Sequence, residues 1–208
     1  MMNRIAIILV LILSFGIAGG LPAQKVAFIP EFYMGANGGT TLSMVNFKPS
    51  VPQSFLMGYH GGLVMRYNSQ NHLGTQAELN YSQRGWHEPS GNSRRLDYIE
   101  LPFMSHFYFG NKVQFYFNIG PKVSILVGES VLAGTSDAAQ YTSIDRPLDY
   151  GFCGGFGFQF KTGKQIVLID TRANFSVANI FPDRTADYFT TSNHLNASVS
   201  AAWLLRTN

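Results

Sequence analysis

A few side-chain groups in this 208-residue chain are of types that do chemistry. His194 and Ser198, with Asn196 between them, are the base and nucleophile types of an ester hydrolase. Such a nucleophile needs its base within hydrogen-bond reach, and the order His-Leu-Asn-Ala-Ser supplies none. His60 and His106 are metal-ligand types that fall among carboxylates, but no tight ligand spacing of the zinc kind accompanies them. The run GFCGGFG at Gly151–Gly157 has the glycine content of a phosphate-cradling loop, yet that loop must open a helix, and here Phe152, Phe156 and Phe158 recur at even positions as in a strand. Cys153 is the only cysteine, which excludes an intrachain disulfide framework and fits a small core residue. The expectation is no catalytic residue, no metal and no cofactor.

The elements that carry these groups show a period of two. In LDYIELPFMSHFYF, residues 96–109, the odd positions Ile99, Leu101, Phe103, Phe107 and Phe109 are apolar apart from Ser105. The even ones, Tyr98, Glu100, Pro102, Met104, His106 and Tyr108, are mixed. That alternation is the signature of a strand with two unlike faces. It recurs near 28–37, 54–67, 75–86, 112–127, 148–161, 167–177 and 195–205, which predicts eight strands. Short connections fall at 68–72, at a Gly110-Asn111 turn and at 161–164, and long ones near 43–53, 87–94, 129–146 and 179–193.

Composition says where such strands could live. Arg4 precedes the apolar run Ile5 to Ile17 and a Gly-Gly-Leu-Pro-Ala segment, the pattern of a cleaved signal peptide. We place the cut after Ala23, with Ala18 and Gly20 as alternatives, so that 1–23 is removed and 24–208 is the mature domain. Losing Arg4 lowers the net charge of +3 by one, no signal for nucleic acid. Charged residues make up 13% of the chain, against about 25% in soluble domains. No later apolar run approaches the roughly 18 residues of a membrane helix. Apolar residues at every second position, with no long run, describe a transmembrane β-barrel. The expected fold is all-β: an eight-stranded antiparallel up-and-down barrel with short periplasmic turns and longer extracellular loops.

An eight-stranded interior is only wide enough for side chains, so the face crowded with Phe must be the outer one. The inward acids are then Glu31, Glu78, Glu100, Asp149 and Asp170, and the inward bases Arg66, Arg84, Lys112, Lys122, Lys161 and Arg172. An unpaired charge in a narrow lumen costs several kcal/mol, so near balance predicts an ion-pair network. Its expected members are Glu31, Arg66, Glu78, Arg84, Glu100, His106, Lys122, Asp149, Asp170 and Arg172. Arg95 and Asp97 take the outward parity beside a long loop. Pro102 lacks a ladder donor and predicts a bulge. Trp86, Tyr98, Phe109, Tyr150 and Trp203 are candidates for interfacial girdles.

Glu78-Leu79-Asn80-Tyr81 through Gly85, then Asp97-Tyr98-Ile99-Glu100-Leu101-Pro102-Phe103 and Gly120-Pro121-Lys122 carry a resemblance over the mature chain. It resembles the PorT-like family of small outer-membrane β-barrels, seen in bacteria that use type IX secretion. The ending Arg206-Thr207-Asn208 departs from the terminal aromatic usual in outer-membrane proteins. The motifs of this resemblance mark a barrel more than a job; the residues themselves point to a non-catalytic protein, structural or acting through its loops, and the resemblance adds an accessory role in secretion as one form of that work. The expected partners are outer-membrane lipid, the periplasmic assembly machinery and a protein at the extracellular loops, with the barrel itself monomeric. The loop from Glu129 to Asp145, rich in small polar residues, is the candidate recognition element. The alternatives are a lipid A-modifying enzyme, a small-solute porin and a secreted lipocalin-like carrier.

Overall fold

A computed structural model describes residues 28–50, 52–87, 93–132, 147–181 and 191–207. Eight strands follow one another: β1 Glu31–Lys48, β2 Ser54–Gln70, β3 Leu73–His87, β4 Ser93–Gly110, β5 Val113–Leu132, β6 Leu148–Thr162, β7 Gln165–Ser176 and β8 Thr191–Arg206. Every neighbouring pair is antiparallel, and β1 pairs with β8 to close the barrel. Closure matters because backbone groups at an open edge have no partner in hydrocarbon. The expected all-β, eight-stranded up-and-down barrel is the fold observed.

Three tight turns define one end. Asn71-His72 joins β2 to β3 with His72 at φ 70°, Asn111-Lys112 follows Gly110 at φ 111°, and Gly163-Lys164 has Gly163 at φ 60°. Here glycine twice supplies the left-handed conformation a tight turn needs. The connections at the opposite end are longer, and the strands that feed them overshoot the alternation seen in sequence. β1 runs on to Lys48, so its connection to β2 is residues 49–53 and not the longer 43–53. Strands of up to 20 residues exceed the ~9–11 that cross a membrane, so the loop end of the barrel stands clear of the hydrocarbon.

The bulge expected at Pro102 is not there. Ala77 pairs with Phe103 and Asn80 with Glu100 in one register, and Pro102 itself pairs with Lys122. A single missing donor is absorbed because the pairing on both sides holds the strand in line. The irregularity in this hairpin lies between Asp97 and Tyr98, which face Gly128 and Leu126, leaving Val127 as the extra residue.

The alternation sorts the side chains as the lumen width requires. Phe103, Phe117 and Phe158 are 58%, 38% and 53% exposed, while Glu78 and Lys122 are each 2% exposed. So continuous an apolar exterior, running through Leu63, Phe156, Ile169 and Val199, could not rest in water.

Candidate functional site

Among the described residues, the lumen is where ionised groups gather away from solvent, and the strands deliver them at alternate positions. Two tiers result. Towards the turn end, Arg172 on β7 grips Glu78 on β3 through both oxygens, at 2.8 and 2.9 Å, and lies 3.3 Å from Asp170. Glu78 also accepts from Asn80 at 2.7 Å and Asn37 at 3.3 Å. Towards the loop end, Arg84 on β3 donates to Asp149 on β6 at 2.8 Å, to Glu100 on β4 and to Ser124 at 3.1 Å. Its guanidinium sits 4.7 Å from the centre of the Tyr98 ring. Ser176 donates to Asp149 at 2.8 Å. The forked geometry of Arg suits it to serve two carboxylates at once.

Each tier has a second cation that takes no carboxylate at hydrogen-bond distance. Lys122 Nζ is 3.9 Å from Glu100 Oε2 and makes no hydrogen bond among the described residues. Arg66 is buried with its Nε on Gln76 at 2.7 Å, another donor on Gln159 and its charge 5.5 Å from the centre of the Tyr116 ring. Gln76 in turn donates to Glu78, which links Arg66 to the carboxylates through a neutral amide. Two positive and two negative charges per tier keep each neutral, the condition under which a dry interior tolerates them.

Several of the groups expected to face inward take other partners or places. Arg66 and His106 are in the lumen but in no ion pair among the described residues: His106 shares a hydrogen bond with Asn118 at 2.7 Å and stacks on Tyr108. Lys112 is exposed, because the turn begins one residue later than expected and carries it out of the ladder. Glu31 lies at the turn-end mouth, held by Lys161 at 2.6 Å, Arg206 at 2.9 Å and the Tyr33 hydroxyl at 2.9 Å. Arg94 and Glu129 form a pair at the loop end that alternation could not show, since the extra Val127 turns Glu129 inward. Arg95 and Asp97 lie 3.6 Å apart at this rim.

Both ends of the lumen are stopped by apolar side chains. At the turn end Tyr33, Tyr108, Tyr116, Ile166 and Leu204 pack together. At the loop end Val45, Phe47, Trp86, Leu96, Tyr98 and Ile180 do so, with Phe47 and Trp86 edge to face at 5.5 Å. Trp86 and Tyr98, expected in the girdle, therefore belong to this plug, whereas Phe109, Tyr150 and Trp203 face outward. Both corrected residues hold even positions, inward parity in their strands.

His194 and Ser198 both point inward from β8, four positions apart and hence about 13 Å along the strand. His194 Nε2 shares a 3.3 Å contact with the Tyr98 hydroxyl instead. These two do not form a nucleophile–base pair, and neither lies on the membrane-facing surface. Among the described residues no three His, Cys, Asp or Glu side chains gather as a metal site, and Cys153 is buried with Sγ 3.5 Å from the Gly120 carbonyl.

The family described as outer membrane protein beta-barrel domain matches residues 13–182. The chain belongs to this family. An outer-membrane β-barrel is thus what the exposed Phe wall and closed sheet amount to, and the protein resides in the bacterial outer membrane. Among solved structures, the barrel is similar to Neisserial surface protein A (NspA), with 16% identity, a TM-score of 0.52, and coverage of 84% of this chain and 96% of that one. It is also similar to Ail, the attachment invasion locus protein of Yersinia pestis, in complex with the heparin analogue sucrose octasulfate, with 12% identity, a TM-score of 0.44, and coverage of 84% and 99%. At 16% identity the likeness to NspA is one of fold alone. No curated protein sequence matches the chain.

Proposed function

We propose that this outer-membrane barrel is a non-catalytic, non-conducting scaffold, a monomer that presents its loop end to a protein partner as an accessory to type IX secretion. The observation that carries the first half is the lumen, crossed by two neutral charge tiers and stopped at both mouths by apolar clusters. With no room for solute, the work falls to the exterior, where loops on a rigid scaffold commonly hold function. The secretion role rests on the PorT-like run Asp97–Phe103 and on Gly120-Pro121-Lys122. Removal of residues 1–23 on export and insertion by the assembly machinery belong to the same reading.

The test is a photocrosslinker placed within residues 130–145 of the full-length protein in intact cells, beside a strain lacking the protein. The expected result is capture of one discrete envelope protein and slowed export of type IX cargo. Export at the normal rate without the protein would remove the secretion role, and capture of lipid alone would remove the loop-mediated one.

A further inference from the structure

The two ends of the barrel differ in charge as well as in shape. Lys112 and Lys164 are exposed at the tips of two of the tight turns and make no ion pair among the described residues. Backbone pairing sets each beside another base. Lys161 N donates to the Lys112 carbonyl at 2.9 Å, and Arg206 N to the Lys164 carbonyl at 2.7 Å. The result is an arc of four bases along the rim from β5 to β8. Glu31 is the sole acid at this end among the described residues, and it is already shared between Lys161 and Arg206. In the sequence, the segments between β3 and β4, β5 and β6, and β7 and β8 hold Glu88, Asp137, Asp145, Asp183 and Asp187 against Arg146 and Arg184. Just below the arc the outer wall presents Phe109, Phe160 and Trp203, all about half exposed. Aromatic rings of this kind settle at the boundary between acyl chains and headgroups, so the bases stand at headgroup height.

We infer that this rim binds anionic phospholipid headgroups of the periplasmic leaflet, with Lys112 and Lys164 as the contacting charges. The inference rests on the membrane placement, with tight turns on the periplasmic side as in outer-membrane barrels generally. A basic residue at a membrane surface attracts an anionic lipid by about 1 kcal/mol, roughly a fivefold preference. Lys161 and Arg206 raise the local potential while staying on Glu31, and the flexible Lys stems let the two free ammonium groups follow a phosphate.

The experiment gives purified full-length protein in non-ionic detergent equal amounts of phosphatidylglycerol and phosphatidylcholine, and counts bound lipid by native mass spectrometry. The wild type should retain phosphatidylglycerol preferentially and lose the preference in about 1 M salt, where charges are screened within ~3 Å. Lys112→Gln with Lys164→Gln should reduce the preference roughly fivefold per lysine, and Lys112→Arg with Lys164→Arg should keep it. Equal retention of the two lipids by the wild type, or an unchanged preference in the Gln variant, overturns the proposal. So does displacement by inorganic phosphate alone, which would mark a simple anion site. Recovery of the protein from the aqueous fraction without detergent would instead defeat the membrane placement itself.

Discussion

Arg84 holds the loop-side tier together, since Glu100 and Asp149 both direct their charge at the one guanidinium. Replacing it with Ala leaves two buried carboxylates facing each other with only Lys122 nearby. We expect Arg84→Ala to lower stability by about 3–5 kcal/mol, read as a shift of the urea unfolding midpoint in lipid vesicles. The quadruple change Arg84→Met, Lys122→Met, Glu100→Gln and Asp149→Asn should cost less than that single one, because it removes all four charges and not just one partner. A quadruple variant weaker than the single one would mean that the tier contributes more than mutual neutralisation. The members of this tier were legible as inward charges, because parity assigns a face. Their partners were not, since Arg84 and Asp149 are 65 positions apart and meet only across the lumen.

Along a single strand, position sets the energetic consequence of a charge. Phe156 and Phe160 share the outer face of β6, but Phe160 is next to the tight turn and Phe156 lies a further turnward-to-loopward step into the wall. Phe156→Arg should therefore destabilise the barrel by about 2–4 kcal/mol and Phe160→Arg by about 0–1, both measured by reversible unfolding into vesicles. Equal penalties would show that the hydrocarbon slab is not where the Phe wall puts it. The same strands show what period alone can reveal of an element. Alternation located all eight but stopped short on β1, where Gly35, Gly38 and Gly39 blur the contrast between faces. Pro102 misled because a missing donor predicts a bulge only if the neighbouring pairs cannot hold their register, and here they do.

For the molecule as a whole, the proposed scaffold role requires that the two apolar clusters keep the lumen shut. Purified protein in planar bilayers is expected to give no discrete conductance steps at physiological salt; regular steps of fixed size would show that the lumen opens. Neither plug was apparent in the sequence. Trp86 and Tyr98 resemble girdle residues by type and strand-end position, and only the closed fold brings them against Phe47 of β1 and Ile180 in the segment after β7. What the sequence determined by itself was the number of strands, the inward and outward faces and the membrane around them, because these follow from a two-residue period, low charge and turn spacing. Which charges meet, which ends are stopped and which rim is basic were decided by the tertiary structure. Barrel closure and strand stagger bring distant positions to the same height, and no local pattern encodes that height.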